Sequence, residues 1–248
     1  MRVADGVDML EISAPVLGKM DLIYPTVIWD EETAILVDTG YPGQLPKLRK
    51  GMEKAGLSPD RLKQIILTHQ DLDHIGSLPD ILHQSPRVKV WAHPLEKPYI
   101  QGEKRLLKIT PEVLARVDST LPAEVPREWR QAFKAILENP PKGEVDRTLE
   151  DGEELPCCGG ITVIHTPGHT PGHISLYHQR SKTLIAGDAL VLRAGRLAPP
   201  DPHQTLDMDL AIQSLQKLTR YEIERVICYH GGLCREDPNR QIAKWAGS

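Results

Sequence analysis

Seven side chains able to bind metal ions stand at the ends of apolar segments in this sequence. The run Gln64-Ile65-Ile66-Leu67 leads into Thr68-His69-Gln70-Asp71-Leu72-Asp73-His74, which places four nitrogen or oxygen ligands within six residues. The run Ile161 to Ile164 leads into His165-Thr166-Pro167-Gly168-His169-Thr170-Pro171-Gly172-His173, whose Pro-Gly pairs set tight turns that can aim an imidazole inward. Thr183 to Ala186 ends at Gly187-Asp188, and Arg225 to Cys228 ends at Tyr229-His230-Gly231-Gly232. Imidazole and carboxylate without thiolate suit Zn²⁺, Fe or Mn²⁺. The set His69, Asp71, Asp73, His74, His169, Asp188 and His230 exceeds what one tetrahedral ion needs, and carboxylates can bridge two ions. A centre of two divalent ions is therefore expected, with Zn²⁺ first and Fe or Mn²⁺ compatible.

These residues need a rigid frame, and the hydrophobic pattern supplies one. Residues 25 to 38 read as a hairpin, followed by a helix over Gln44 to Lys54 that Gly56 ends. The strand 64 to 67, a short helix from Leu78 to His83 and a strand at Val88 to Trp91 come next. Later strands read at 161 to 164, 174 to 177, 183 to 186 and 225 to 228, with a helix from Asp209 to Leu218. Each ligand candidate directly follows a strand, so a sheet edge can hold them all. Alternating strands and helices in two halves predict a layered α/β sandwich, and the absence of repeats or low-complexity tracts predicts one domain over residues 1–248.

Residues 99 to 146 break this rhythm. They read as a helical insertion, with helices near Pro111 to Val117 and Glu128 to Leu137 and prolines at 111, 122, 126, 140 and 141. The segment has no histidine, and eight basic residues, Lys108 among them, balance eight acidic ones. It is expected to act as a lid that sets substrate choice without supplying ligands, so that removing 103 to 138 would leave the metal content nearly intact. Its apolar Leu106, Leu107, Leu114, Trp129 and Phe133 favour an uncharged or weakly charged acyl substrate. Trp129 and Phe133, four apart, read first as the packing face of their helix.

Composition narrows the function further. The 248 residues carry 30 Lys plus Arg against 34 Asp plus Glu, a net charge of −4, so no global positive field exists to hold nucleic acid. No apolar run approaches the roughly 18 residues of a membrane span, and Met1 to Met20 lacks a basic start followed by an apolar stretch. A cytoplasmic protein acting on a small molecule, without nucleic acid or membrane, is expected; nothing in the sequence sets an oligomeric state. Cys157, Cys158, Cys228 and Cys234 form no paired C-x-x-C and suggest neither a disulfide framework nor a thiolate zinc site.

The four motifs, in this order, resemble those of the metallo-β-lactamase superfamily, from Val37-Asp38-Thr39-Gly40 to His230. The resemblance implies a four-layer αββα sandwich with a dinuclear centre at the edge of its two sheets. It implies that His69 and His169 hold the first metal, that Asp73, His74 and His230 hold the second, and that Asp188 bridges them. Asp38 is then expected to orient a liganding loop. The usual family pattern is H-x-H-x-D-H, and here Asp71 stands where the second His belongs. An acidic residue also occurs at that place, as Glu, in the flavodiiron branch. The extra carboxylate should favour harder ions and raise the pKa of a bridging water.

The resemblance implies hydrolysis: a metal-bound hydroxide attacks an ester, thioester or lactone, with Asp73 relaying protons. The alternative is a non-haem di-iron oxidoreductase, motivated by Asp71. His165 and His173 are expected to be turn or supporting residues. His83, His93, His178 and His203 read as surface or satisfied core positions, and Cys228 and Cys234 as buried thiols. Tyr24 and Tyr41 are minor candidates for an oxyanion donor.

Overall fold

The computed structural model describes residues 1–16, 19–121 and 125–247; Pro122 of the expected insertion lies outside the described residues. One sheet has its strands in the order Arg2–Ala4, Val7–Met9, Thr26–Trp29, Ala34–Val37, Leu62–Leu67, Lys89–Ala92 and Arg147–Thr148. The other runs Glu154–Leu155, Ile161–His165, Ile174–His178, Thr183–Ile185, Arg225–Cys228 and Gly232–Cys234. Strand alternation explains how the layers form, because successive side chains point to opposite faces. Ile35, Val37 and Ile66 of the first sheet meet Val163, Leu176, Ile185 and Ile227 of the second in one buried cluster. Ala34, Leu36, Ile65 and Leu67 face the other way, toward Leu48 and Met52 of the helix Leu45–Lys54 and Ile81 of the helix Leu78–Gln84. On the far side, Leu184 and Val226 pack on Leu215 and Leu218 of the helix Met208–Leu218 and Ile242 of the helix Pro238–Trp245. Helix, sheet, sheet and helix thus stack as the expected four-layer αββα sandwich. Among the described residues no helix is long and apolar enough to cross a membrane.

The central strands of the first sheet run parallel: Ala34–Val37, Leu62–Leu67 and Lys89–Ala92 share a direction. In the second sheet Thr183–Ile185 and Arg225–Cys228 are likewise parallel. Their following loops consequently emerge together, which is why residues far apart in sequence converge. A hairpin of Ile12–Val16 with Lys19–Ile23, not anticipated from the sequence, closes one flank. Ile23 forms an isolated antiparallel bridge with His230, and the Tyr24 N–H donates to the Tyr229 carbonyl at 3.0 Å.

The insertion contains the helices Pro111–Thr120 and Arg127–Glu138. It is not a detachable cover. Leu106, Ile109, Val117, Leu121 and Leu137 are buried in the same cluster as Leu36, Ile65 and Leu67. Deleting 103 to 138 would remove these side chains from that cluster, a packing role that the expectation of a free cover did not include. Apolar positions spaced along two amphipathic helices looked like a lid because the pattern alone cannot say what they face.

Candidate metal centre

The loop after Leu62–Leu67 turns sharply at Asp71, which is extended, and continues as the short helix Leu72–Ile75. This fold-back sends His69 and His74 to one place, their ring centroids 4.0 Å apart. Two clusters of donor atoms result: His69, Asp71, His169 and Asp188 in one, and Asp73, His74 and His230 in the other. Asp188 also reaches the second cluster. Its Oδ2 lies 3.3 Å from His169 Nε2 and 3.6 Å from His230 Nε2, while its Oδ1 lies 3.5 Å from His74 Nε2. All seven candidates therefore meet in space, in two groups of donor atoms.

Three of the four candidate histidines, His69, His74 and His169, are turned by their other ring nitrogen. His74 Nδ1–H donates to Asp38 Oδ2 at 2.9 Å. Thr68 Oγ1 donates to the same carboxylate at 2.8 Å, so His69 Nδ1–H donates to Thr68 Oγ1 at 3.0 Å. Thr205 Oγ1 donates to the Asp201 carbonyl and accepts from His169 Nδ1–H at 3.3 Å. In all three rings Nε2 faces the centre and is the nitrogen that a neutral imidazole would offer as an acceptor, the form a metal requires.

The residues fit a metal on the evidence of these atoms. His69 Nε2, His74 Nε2 and Asp188 Oδ1 are buried and have no hydrogen-bond partner, which is costly unless a cation meets them. Tetrahedral bonds of about 2.0–2.1 Å separate ligand atoms by roughly 3.3 Å. The observed separations, 3.2 Å for His69 Nε2 to Asp71 Oδ2, 3.3 Å for His169 to Asp188 and 3.2 Å for His230 Nε2 to Asp73 Oδ2, match that spacing. Asp71, the departure from the usual motif, stands within the first cluster and 3.0 Å from His169 Nε2.

The electrostatics call for positive charge. Burial works against ionisation of Asp188, but His230 and His74 outweigh it and hold its carboxyl well below the usual range. Burial also opposes charge on His74, yet Asp38, Asp73 and Asp188 hold its pKa well above the ordinary value. His230 is pushed to about 9 because Asp188 and Asp73 outweigh its burial. His69 goes the other way, to about 4, through burial and the neighbouring His74.

Other side chains support the ligands: Asp38 and His173, which the sequence leads one to expect in such roles, and Glu96 and Tyr229, which it does not. Asp38 adopts a left-handed backbone, φ +62°, unusual without glycine, and its carboxylate thereby also accepts from the Thr68 N–H at 2.8 Å. Glu96, fully buried, joins the two ligand loops. It accepts from the Gln70 N–H at 3.0 Å, Gln70 Nε2 at 2.8 Å, Thr170 Oγ1 at 2.8 Å and the Gly172 N–H at 2.8 Å. Burial raises its pKa against these four donors. Tyr229 donates to the Asp73 carbonyl at 2.5 Å. His173 spends both nitrogens on support: Nε2 accepts from the Asp188 N–H at 2.9 Å and Nδ1 meets Thr166 Oγ1 at 2.9 Å. At Gly187, a Cβ would lie 2.7 Å from that Nε2, so only glycine permits the approach.

The other histidines stand apart from the two clusters. His93 stacks on His165, centroids 4.2 Å apart, and His178 is buried against Ser181 Oγ and the Cys158 carbonyl. Tyr41 donates its hydroxyl to Asp21 Oδ2 at 2.7 Å, which leaves it poorly placed as an oxyanion donor. Cys228 and Cys234 are buried free thiols.

Asp38→Ala is expected to weaken metal affinity about 10- to 100-fold, since it frees both Thr68 and His74. Competition with a chromophoric chelator measures this, and unchanged affinity would show that Asp38 does not orient the ligands.

The sequence pattern of the metallo-β-lactamase superfamily matches residues 21–230. A probable metallo-hydrolase, YflN of Bacillus subtilis, is 30% identical over 208 residues, covering 79% of this chain and 75% of its own. The hydroxyacylglutathione hydrolase GloC of Haemophilus influenzae is 29% identical over 168 residues, covering 66% of this chain and 65% of its own. Among solved structures, the metallo-β-lactamase family protein TTHA1429 of Thermus thermophilus superposes with a TM-score of 0.71 at 22% identity, covering 99% of this chain and 80% of that one.

Proposed function

Because the chain belongs to the metallo-β-lactamase superfamily, we propose that it is a hydrolase of carboxylic esters, thioesters or lactones whose seven His and Asp side chains hold two divalent ions. The observation that carries this is the pair of donor clusters sharing Asp188, with three buried polar atoms unpartnered inside them. When bound, such ions supply Lewis acidity and a water nucleophile activated at neutral pH. Zn²⁺ is the first candidate, and the carboxylate of Asp71 makes Mn²⁺ or Fe compatible. Asp73 Oδ2, beside His230 Nε2, is placed to take and return a proton, while the Tyr229 hydroxyl fixes its backbone.

The surroundings suggest the substrate. A cavity of about 500 Å³ opens onto His169, Asp188 and His230, with Leu22, Leu192 and Arg193 in its wall. A second, also about 500 Å³, is lined by Ala14, Val16, Tyr41, Leu72, Trp129 and Phe133 among others. Leu72, in its lining, is the chain neighbour of both Asp71 and Asp73, which supports reading this apolar cavity as the acyl pocket. Of the pair expected to form the packing face of their helix, Phe133 is partly buried against the core, whereas Trp129 is half exposed. An acyl chain in this cavity would cover its ring. That hydroxyacylglutathione hydrolases are among the relatives supports a thioester or similar acyl substrate.

The test is turnover of esters, thioesters and lactones of increasing acyl length by protein loaded with Zn²⁺, Mn²⁺ or Fe²⁺. Hydrolysis sensitive to chelators is expected, with KM falling as the chain lengthens. Trp129→Ala should raise KM for long acyl groups about tenfold, the equivalent of roughly 1.5 kcal/mol of lost contact, with little change in kcat. Absence of turnover on every acyl class, or oxygen consumption by the iron form instead, would overturn the reading.

A further inference from the structure

Lys108 comes from the segment expected to leave the centre alone, yet its ammonium lies inside the first donor cluster. Nζ contacts Asp71 Oδ2 and lies 2.8 Å from His169 Nε2. The placement is held from behind. The adjoining Leu107 N–H donates to Gln70 Oε1 at 2.7 Å, and Gln70 is itself pinned by buried Glu96. Leu106 and Ile109, on either side, are buried in the core at 4% and 6% exposure. An anchored stretch of backbone therefore presents the ammonium to two acceptors only 3.0 Å apart, atoms that would repel each other without a cation between them.

We propose that Lys108 is an internal cation that competes with the metal ion at the His69–Asp71–His169 subsite. This rests on the metal-centre reading above. Asp71 and Lys108 explain each other: a carboxylate at this place attracts an ammonium, whereas the histidine of the usual motif would bind an ion without calling for one. The competition is unequal across the centre. Lys108 satisfies Asp71 and His169 but leaves His69 Nε2 without a partner, so an ion can still displace it. Among the described residues no lysine is bonded to the second cluster, around Asp73, His74 and His230, so an ion there would meet no such competitor. The protein then holds one ion tightly and a second only when Lys108 withdraws.

Equilibrium binding of Zn²⁺, and separately Mn²⁺, to the full chain decides this through chelator competition and metal analysis. The wild-type protein should show one tight equivalent and a weaker second. Lys108→Met should tighten the second equivalent at least about tenfold, because a positive charge is removed a few ångströms from the ion. Lys108→Arg, which keeps the charge, should leave it weak. Two equally tight equivalents in wild type, unchanged in Lys108→Met, would overturn the lysine proposal and leave the metal centre standing. No ion bound by wild type or by either variant, with native circular dichroism, would overturn both.

Discussion

Asp188→Ala should lose ions from both subsites and lower turnover by about a thousandfold or more, since the ions supply several kcal/mol of charge stabilisation. The reason is positional: its two oxygens lie within 3.3 to 3.6 Å of His169, His74 and His230, which belong to different clusters. His230, by contrast, belongs to one cluster and sits at the rim with its side chain 31% exposed. His230→Ala should weaken only the second subsite. Metal analysis after dialysis separates the two variants, and full metal content in Asp188→Ala would remove this residue from the centre.

The second large effect concerns folding. A Cβ at Gly76 would lie 2.3 Å from both Pro42 N and Tyr41 C and 2.4 Å from the Gly40 oxygen, all backbone atoms that cannot rotate away. Gly76 ends the short helix that carries His74. The turn it touches follows Asp38 and Thr39, and Thr39 is bound to the His74 carbonyl through its N–H at 2.6 Å and its hydroxyl at 2.9 Å. Gly76→Ala must therefore push helix and turn apart, at a cost of about 3 kcal/mol or more. For a chain of this length that lowers Tm by roughly 6–12 °C. It should also weaken ion binding through His74. A Tm within about 2 °C of wild type, measured on the metal-free protein, would show that the two segments can separate freely.

The sandwich and the seven candidate ligands were legible because strands announce themselves by unbroken apolar runs and the ligands follow them at once. Ile65 to Leu67 before His69, and Val226 to Cys228 before His230, are such cases. What stayed hidden depends on contacts between distant segments. Glu96 is an ordinary glutamate in sequence, and only folding brings Gln70, Thr170 and Gly172 around it. Lys108 was one basic residue in a charge-balanced stretch, and nothing local links it to Asp71. The hairpin Ile12–Ile23 was missed because its alternation is interrupted by Pro15 and charged Lys19 and Asp21. The insertion's buried leucines and valine looked like a free lid because amphipathic periodicity reports a buried face without naming its partner.

The bridge between Ile23 and His230 has a kinetic meaning. Ile23 and Tyr24 precede the first ligand loop, and Tyr229 and His230 are the last motif. The second subsite is therefore complete only after the latest ligand has come back to pair with one of the earliest strands. Pairings of such long sequence separation slow folding, because loop closure must precede the contacts that reward it. On the ribosome, His69, Asp73 and His74 emerge well before their partner, so a nascent chain presents a partial site. An ion taken up there would then act as a late lock on an assembled sandwich rather than as the seed around which the chain collects.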